Sequence, residues 1–283
     1  MKHTPTPTFL AAMSIAVLGT LLSSGQASAG VVAAWTFDND FSADAGGAAF
    51  DLTAVNSASS GGVPGRFGNA ASFARAPTGA RNQYAFTGGD VLTAGSDFSY
   101  SAWYRLEVTN ITGSNRYFVL ETTAGDAPSG TQAWTASLGL RDTGGDIMQV
   151  STYPSQSVFN IAGGNATDGG GNPMWHNILV TWDNDGGTNA GDGRFTGYLD
   201  GTSIGALDRV APLTAVGGLV IGGHRSGTGR NFEGLIDDVI FYDHVLGQSE
   251  VDALQITSGI PEPSMPALLG VVCAGLFLRR RRG

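Results

Sequence analysis

The chain has 283 residues, of which 43 are glycine and only one is cysteine. Between Gly30 and Ile260, ten arginines and no lysine stand against twenty-three Asp and Glu, a net charge of −13 with His neutral. Such a surface repels nucleic acid and anionic lipid and draws cations. The lone cysteine, Cys273, lies in a C-terminal apolar run. Disulfides, thiolate metal sites and a cysteine nucleophile are therefore excluded from everything before it.

The first 29 residues read as a secretory signal peptide. A short basic start (Lys2, His3) precedes an apolar stretch from Phe9 to Leu22 and small residues ending Ala27-Ser28-Ala29. The apolar run is shorter than the ~20 residues that cross hydrocarbon, so cleavage by signal peptidase after Ala29 is expected rather than a permanent anchor.

Residues 30–258 are of a size for one domain. Glycine clusters punctuate short runs of alternating or β-branched residues, the pattern of strands joined by turns. In chain order the expected strands are Val32–Phe37, Ala70–Phe73, Phe98–Leu106, Tyr117–Glu121, Ala133–Leu140, Ile147–Thr152, His176–Trp182, Phe195–Leu199, Leu219–Ile221 and Leu235–Tyr242. In Phe98–Leu106 one face takes Phe98, Tyr100, Ala102, Tyr104 and Leu106, so that side is core. Asp200-Gly201 is a two-residue hairpin signal between Tyr198-Leu199 and Thr202–Ile204. Gln248–Ile256 alone reads as helix, with Val251 and Leu254 on one side. About ten strands without alternating helices predict an all-β fold of two packed antiparallel sheets, a jelly-roll sandwich.

The C-terminal segment, 259–283, has three parts. Pro261-Glu262-Pro263 is followed by an apolar run from Met265 to Leu278 and by Arg279, Arg280, Arg281 and Arg282. The prolines cannot sit inside the following membrane helix, and the arginine cluster stays cytoplasmic, which places the domain across the membrane. The apolar run is short for a permanent span and adequate for a temporary one. This arrangement resembles the PEP-CTERM sorting signal of Gram-negative bacteria. The resemblance implies transient inner-membrane anchoring, cleavage near Pro261-Glu262-Pro263 by an exosortase-type protease, and release to the cell surface or extracellular matrix. An ordinary tail anchor would give the same orientation without cleavage.

The domain carries a resemblance of its own. Gly65-Arg66-Phe67-Gly68-Asn69-Ala70-Ala71-Ser72-Phe73, Phe98–Trp103, Trp175–Trp182, Tyr198-Leu199-Asp200-Gly201 and Phe232-Glu233-Gly234-Leu235-Ile236-Asp237-Asp238-Val239 follow the order of laminin G-like, concanavalin A-like jelly rolls. The closing Tyr242–Leu246 with Glu250 is similar to that family's last strand and short helix. The resemblance implies a jelly roll whose members bind glycans or proteins, often with structural calcium.

Which residues would act? A retaining glycosidase needs an acid and a nucleophile ~5 Å apart. The glutamates before the sorting motif, Glu107, Glu121, Glu233 and Glu250, supply no such pair on a strand, and no Gly-x-Ser-x-Gly occurs. His176, His224 and His244 share no spacing that brings them together, so a non-catalytic protein is expected.

For metal, Asp183, Asp185 and Asp192 sit in a Gly- and Asn-rich loop whose hard oxygen donors suit Ca²⁺, although turns favour the same residues. Asp237 and Asp238 are a second candidate, and the laminin G-like resemblance implies Asp38 nearby. Adjacent residues on a regular strand point to opposite faces, so one carboxylate must turn inward and needs a cation or hydrogen-bond donors. Trp134, Tyr153, Phe159 and Trp175 are candidate sugar platforms, and 160–173, with its glycines, is the expected recognition loop. Two classes follow: a surface module that binds an extracellular polysaccharide or surface protein, or a purely structural component of the biofilm matrix.

Overall fold

The computed structural model describes residues 30–56, 58–73, 84–93, 95–107, 116–123, 136–141, 147–152, 157–162, 173–210, 216–224 and 232–257. The expected signal peptide with Ala29 lies outside these residues, as does the sorting segment with Pro261, Glu262, Pro263, Arg279, Arg280, Arg281 and Arg282. No helix among the described residues is long and apolar enough to cross a membrane.

The described residues form an all-β, antiparallel, two-sheet sandwich. Its strands are β1 (Val31–Trp35), β2 (Thr53–Val55), β3 (Ala71–Phe73), β4 (Tyr84–Leu92), β5 (Phe98–Leu106), β6 (Arg116–Thr123) and β7 (Ala136–Arg141), then β8 (Ile147–Thr152), β9 (Ser157–Ala162), β10 (Trp175–Asp183), β11 (Asp192–Leu199), β12 (Thr202–Val210), β13 (Val216–Ile221) and β14 (Gly234–Tyr242). One helix, α1 (Gln248–Ala253), follows. The first sheet runs β1-β14-β5-β10-β11-β12, with β3 also paired to β14, and the second runs β2-β4-β13-β6-β7-β8-β9. β6-β7-β8-β9 and β10-β11-β12 pair in sequence order, but β14 lies between β1 and β5, and β13 between β4 and β6, so the core closes only when distant segments meet.

The main core fills the space between the sheets. Tyr100 and Tyr104 of β5, Ile178, Val180 and Trp182 of β10, Phe195 of β11 and Phe241 of β14 meet Val119, Leu120, Leu219 and Ile221 of the second sheet. The outer face of the first sheet is partly covered as well. There α1 lays Val251 and Leu254 over Ala34, Leu179, Ile240 and Tyr242. That is why β14 is buried along its whole length and reads as a nearly continuous apolar run instead of an alternating one.

Each expected strand is present, with bounds shifted by up to three residues. β2, β4, β9 and most of β12 were not legible. β4 carries Gly88-Gly89 and β12 carries Gly205, and glycine inside a strand dilutes the pattern that marks one. β9 also runs through Asn160 to Ala162, the start of the segment expected to be loop. The Asp200-Gly201 hairpin forms as expected. Both residues have positive φ (48° and 77°), as a type I′ turn requires.

Candidate functional site

Two neighbouring acids near the middle of β14 organise the site. A regular strand would send them to opposite faces, but the pairing of β14 with β5 slips between Asp237 and Ile240, and Asp238 has φ +42°. The slip is a β-bulge, which re-aims the side chains beside it. Both acids are consequently buried, at 0% and 1% exposure.

Their environments differ. Asp237 faces the outer side of the sheet and accepts three backbone N–H groups. Its Oδ2 takes those of Arg66 (2.7 Å) and Phe67 (3.1 Å), and its Oδ1 takes that of Asp238 (2.9 Å). At the other end of the same loop, Asp38 Oδ1 accepts the Asn69 N–H at 2.7 Å, and the Asp38 carbonyl accepts Asn69 Nδ2 at 2.8 Å. The loop from Gly65 to Asn69 is thus clamped between two carboxylates. A Cβ at Gly65 would collide with Asp237 Oδ2, and one at Gly68 (φ +66°) with Asp38 Oδ1.

Asp238 has no such partners. Among the described residues, neither of its carboxylate oxygens has a hydrogen-bond partner, and both are buried. Burial first, then the charges of Asp237, Asp38 and Asp44, pushes its pKa up to about 9. Burial also raises Asp237, against the pull of its three backbone donors. Of the pair, Asp238 is the one that holds a proton, because the donors around Asp237 favour its anion. Asp44 Oδ2 accepts from Thr36 N (2.7 Å) and Thr36 Oγ1 (2.8 Å). Its second oxygen, like that of Asp38, takes no hydrogen bond among the described residues.

An orphaned buried carboxylate with two half-used carboxylates in its field fits a hard divalent cation, which takes oxygen ligands. Among the described residues no three acidic or His side chains converge as a metal cage. A cation held by Asp238, with Asp38 or Asp44, would therefore fill its remaining positions with backbone carbonyls or water. The sequence reading missed Asp44, because nothing in the local pattern ties it to β14.

Of the other acidic candidates, Asp183 and Asp192 each give one carboxylate oxygen to their own turn. Asp183 ends β10 and its Oδ1 caps the Asp185 N–H at 3.1 Å, while Asp192 starts β11 and its Oδ2 takes Asn189 Nδ2 at 3.0 Å. Their neighbours are served from outside the loop. Asn184 N–H goes to Asp97 (2.8 Å), and Thr188 to Asp208, which also pairs with Arg194 at 2.8 Å. The loop is a hydrogen-bonded hairpin connection, and among the described residues its carboxylates belong to no group of three that could hold a metal ion.

Among the aromatic candidates, Trp134 and Tyr153 lie outside the described residues. Phe159 lies in β9, its side chain also outside them. Trp175 is described. It opens β10, half-buried, beside exposed Met174 (43%) and opposite Arg105 of β5. The Arg105 guanidinium lies 5.5 Å from the Trp175 ring centroid and pairs with Glu107 at 2.7 Å. Two positions back on the same face, Trp103 meets Phe67 edge-on at 5.9 Å. The Arg66 guanidinium covers both rings, 4.8 Å from Trp103 and 5.0 Å from Phe67. Sequence reasoning missed Arg66, Phe67 and Arg105. The available signal was the pair of glycines around Arg66-Phe67, which marks a backbone held close to another element.

The histidines stay apart. His176 Nδ1 meets Asp200 at 2.7 Å, His224 Nε2 lies 3.9 Å from buried Glu121 on the second sheet, and His244 Nε2 meets Glu250 at 3.2 Å beside α1.

With this geometry in hand, comparison with known proteins is informative. The profile of the Concanavalin A-like lectin/glucanases superfamily matches residues 78–252, well over half of the chain. The chain belongs to this superfamily. Curated protein sequences give no match. Among solved structures, the chain is similar to domain 4 of AbnA, a GH43 extracellular arabinanase from Geobacillus stearothermophilus in complex with arabinotriose. The TM-score is 0.54 at 17% identity, over 80% of this chain and 98% of that one. It is also similar to the receptor binding domain of botulinum neurotoxin D (TM-score 0.54, 12% identity, 81% and 52% covered). A third is the binding domain of Paraclostridial Mosquitocidal Protein 1 (TM-score 0.54, 15% identity, 81% and 52% covered). This superfamily member spans almost all of the arabinanase domain and about half of each toxin chain. At these identities the likeness is one of fold.

Proposed function

We propose that this superfamily member is an exported, non-catalytic binding module that takes an extracellular polysaccharide or a surface protein, with a calcium ion at Asp238 supporting the fold. Signal peptidase would remove the first 29 residues. An exosortase-type protease would release the domain from its transient inner-membrane anchor to the cell surface or matrix of a Gram-negative bacterium.

The observation that carries the binding reading is the placement of Trp175. It leaves part of an aromatic face open at a strand end, next to exposed Met174 and flanked by the Arg105–Glu107 pair. Sugar rings stack on such faces while their hydroxyls need both donors and acceptors, which an Arg–Glu pair supplies. The fold's solved relatives lend support, since one of them is described in complex with arabinotriose and others as receptor-binding domains. The adjacent acids Asp237 and Asp238 are buried, which suits a structural role better than hydrolysis.

The test is a glycan array probed with the full chain and with Trp175→Ala. The parent should bind a defined set of glycans and the variant should lose at least about tenfold in affinity, the size of a lost stacking contact. Absence of binding to every glycan and to cell-surface protein would leave the chain as a purely structural bead of the matrix.

A further inference from the structure

The acidic domain carries a cationic patch whose charge is held still. Arg66 is exposed, and among the described residues no carboxylate pairs with its guanidinium. The side chain is nevertheless fixed. Its backbone N–H is anchored on Asp237, its guanidinium lies over the Trp103 and Phe67 rings, and its Nη2 is 3.5 Å from the Gln255 carbonyl at the end of α1. On the same outer face of the first sheet, Trp103 sits beside Asn177, and Arg105 beside Trp175. The patch thus joins a guanidinium seated on the buried Trp103 ring to the half-buried Trp175 ring and, through Arg105 and Glu107, to a donor–acceptor pair.

We infer that this outer-face patch, from Arg66 across Trp103 to Trp175, binds a carboxylated saccharide, a uronate-bearing polysaccharide, with Arg66 taking the carboxylate. The inference rests on the binding-module reading and names its ligand class. Charge complementarity decides the ligand. In a domain of net charge −13, an arginine that has no carboxylate partner among the described residues and lies on a rigid aromatic bed is a specific anion site, because the planar fork matches a carboxylate through two parallel hydrogen bonds. A densely sulfated chain carries more charge per sugar than a uronan and would be repelled more strongly by the acids around that site. A uronan presents one carboxylate per acidic sugar together with apolar ring faces, which is what Arg66 and the open part of the Trp175 ring accept between them.

The experiment is affinity electrophoresis of the full chain in gels containing polygalacturonate, dextran sulfate or neutral arabinan, for the parent and for Arg66→Ala and Arg66→Lys. Polygalacturonate should retard the parent. Arg66→Ala should weaken that retention about tenfold or more, and Arg66→Lys, which keeps the charge but not the fork, should recover only part of it. Retention should also vanish in about 0.5 M salt, where screening acts within a few ångströms. That measurement needs no variant and stands even if a substitution disturbs folding. Retention in arabinan alone, unchanged in Arg66→Ala, would overturn the inference and leave the binding-module reading intact. Stronger retention by dextran sulfate would overturn the choice of a uronate. Retention in none of the gels, alongside glycan-array binding that survives Arg66→Ala, would likewise sink only this inference, whereas loss of all binding would sink both.

Discussion

Asp237 and Asp238 are neighbours on β14 and both are buried, but Asp237 accepts three backbone N–H groups while Asp238 has no partner among the described residues. The bulge beside which both carboxylates are buried leaves Asp238 in the left-handed region, where a non-glycine residue is strained. Strain and an orphaned acid on one residue are costs that a bound cation would offset.

Excess Ca²⁺ should therefore raise the thermal midpoint of the chain above its value in chelator. A cation that binds only the folded state at ~100 times its dissociation constant adds ~2.7 kcal/mol. Asp238→Asn should abolish the shift and, in chelator at neutral pH, should be more stable than the parent, since the amide removes the cost of keeping a buried carboxyl protonated. An unmoved parent midpoint removes the cation from the account.

The pH dependence carries a sign. Folding raises the pKa of Asp238 to about 9 and that of Asp237 to about 7, both above the ordinary carboxylate value, so the folded state holds more protons than the unfolded one in between. Their contribution favours folding least at high pH. In chelator, the stability of the parent relative to Asp238→Asn should fall steadily as pH rises from about 5 to about 9. Chemical denaturation across that range measures it, and a relative stability that rises with pH contradicts the assignment.

Two glycines separate strain from collision. Gly62 (φ +81°) has nothing within 4 Å of a built Cβ, whereas at Gly68 (φ +66°) the Cβ would run into Asp38. Gly62→Ala should cost about 1 kcal/mol of backbone strain. Gly68→Ala should cost about 2–3 kcal/mol, because it also breaks the Asp38–Asn69 hydrogen bonds. Equal costs in denaturant melts would mean that the clamp on the loop contributes nothing.

Processing is read directly by mass spectrometry of the protein recovered from culture. The mature chain should begin at Gly30 and end near Pro261-Glu262-Pro263. Replacing Glu262 by Ala should hold the protein in the membrane fraction. An intact C-terminal segment on surface-exposed protein would favour an ordinary anchor.

How far the site was legible follows from how local each signal is. The alternation in Phe98–Leu106 and the Asp200-Gly201 turn are decided within a few residues, and both are found as read. The pairing of Asp38 with the Asp237–Asp238 segment came from a resemblance in residue order, and the structure gives the reason: the two acids clamp one loop. Asp183, Asp185 and Asp192 have cation-loop composition, and Asp183 and Asp192 each give one carboxylate oxygen to the turn itself, a use that composition does not reveal. Arg66 was invisible because its partners Trp103 and Gln255 lie 37 and 189 residues away.

By itself the sequence determined the class of molecule. Glycine-punctuated alternation specifies strands, an absence of thiols before Cys273 rules out covalent staples, and an acid excess sets the sign of the surface. Such properties depend on residue type and spacing of two to four, so they need no knowledge of what packs where. Only the tertiary structure decided which acid is satisfied and which is orphaned, and which aromatics share a face with which arginines. Those outcomes depend on a one-residue bulge in β14 and on loops that meet across the first sheet, and a slip of one residue reverses the face of every side chain beyond it.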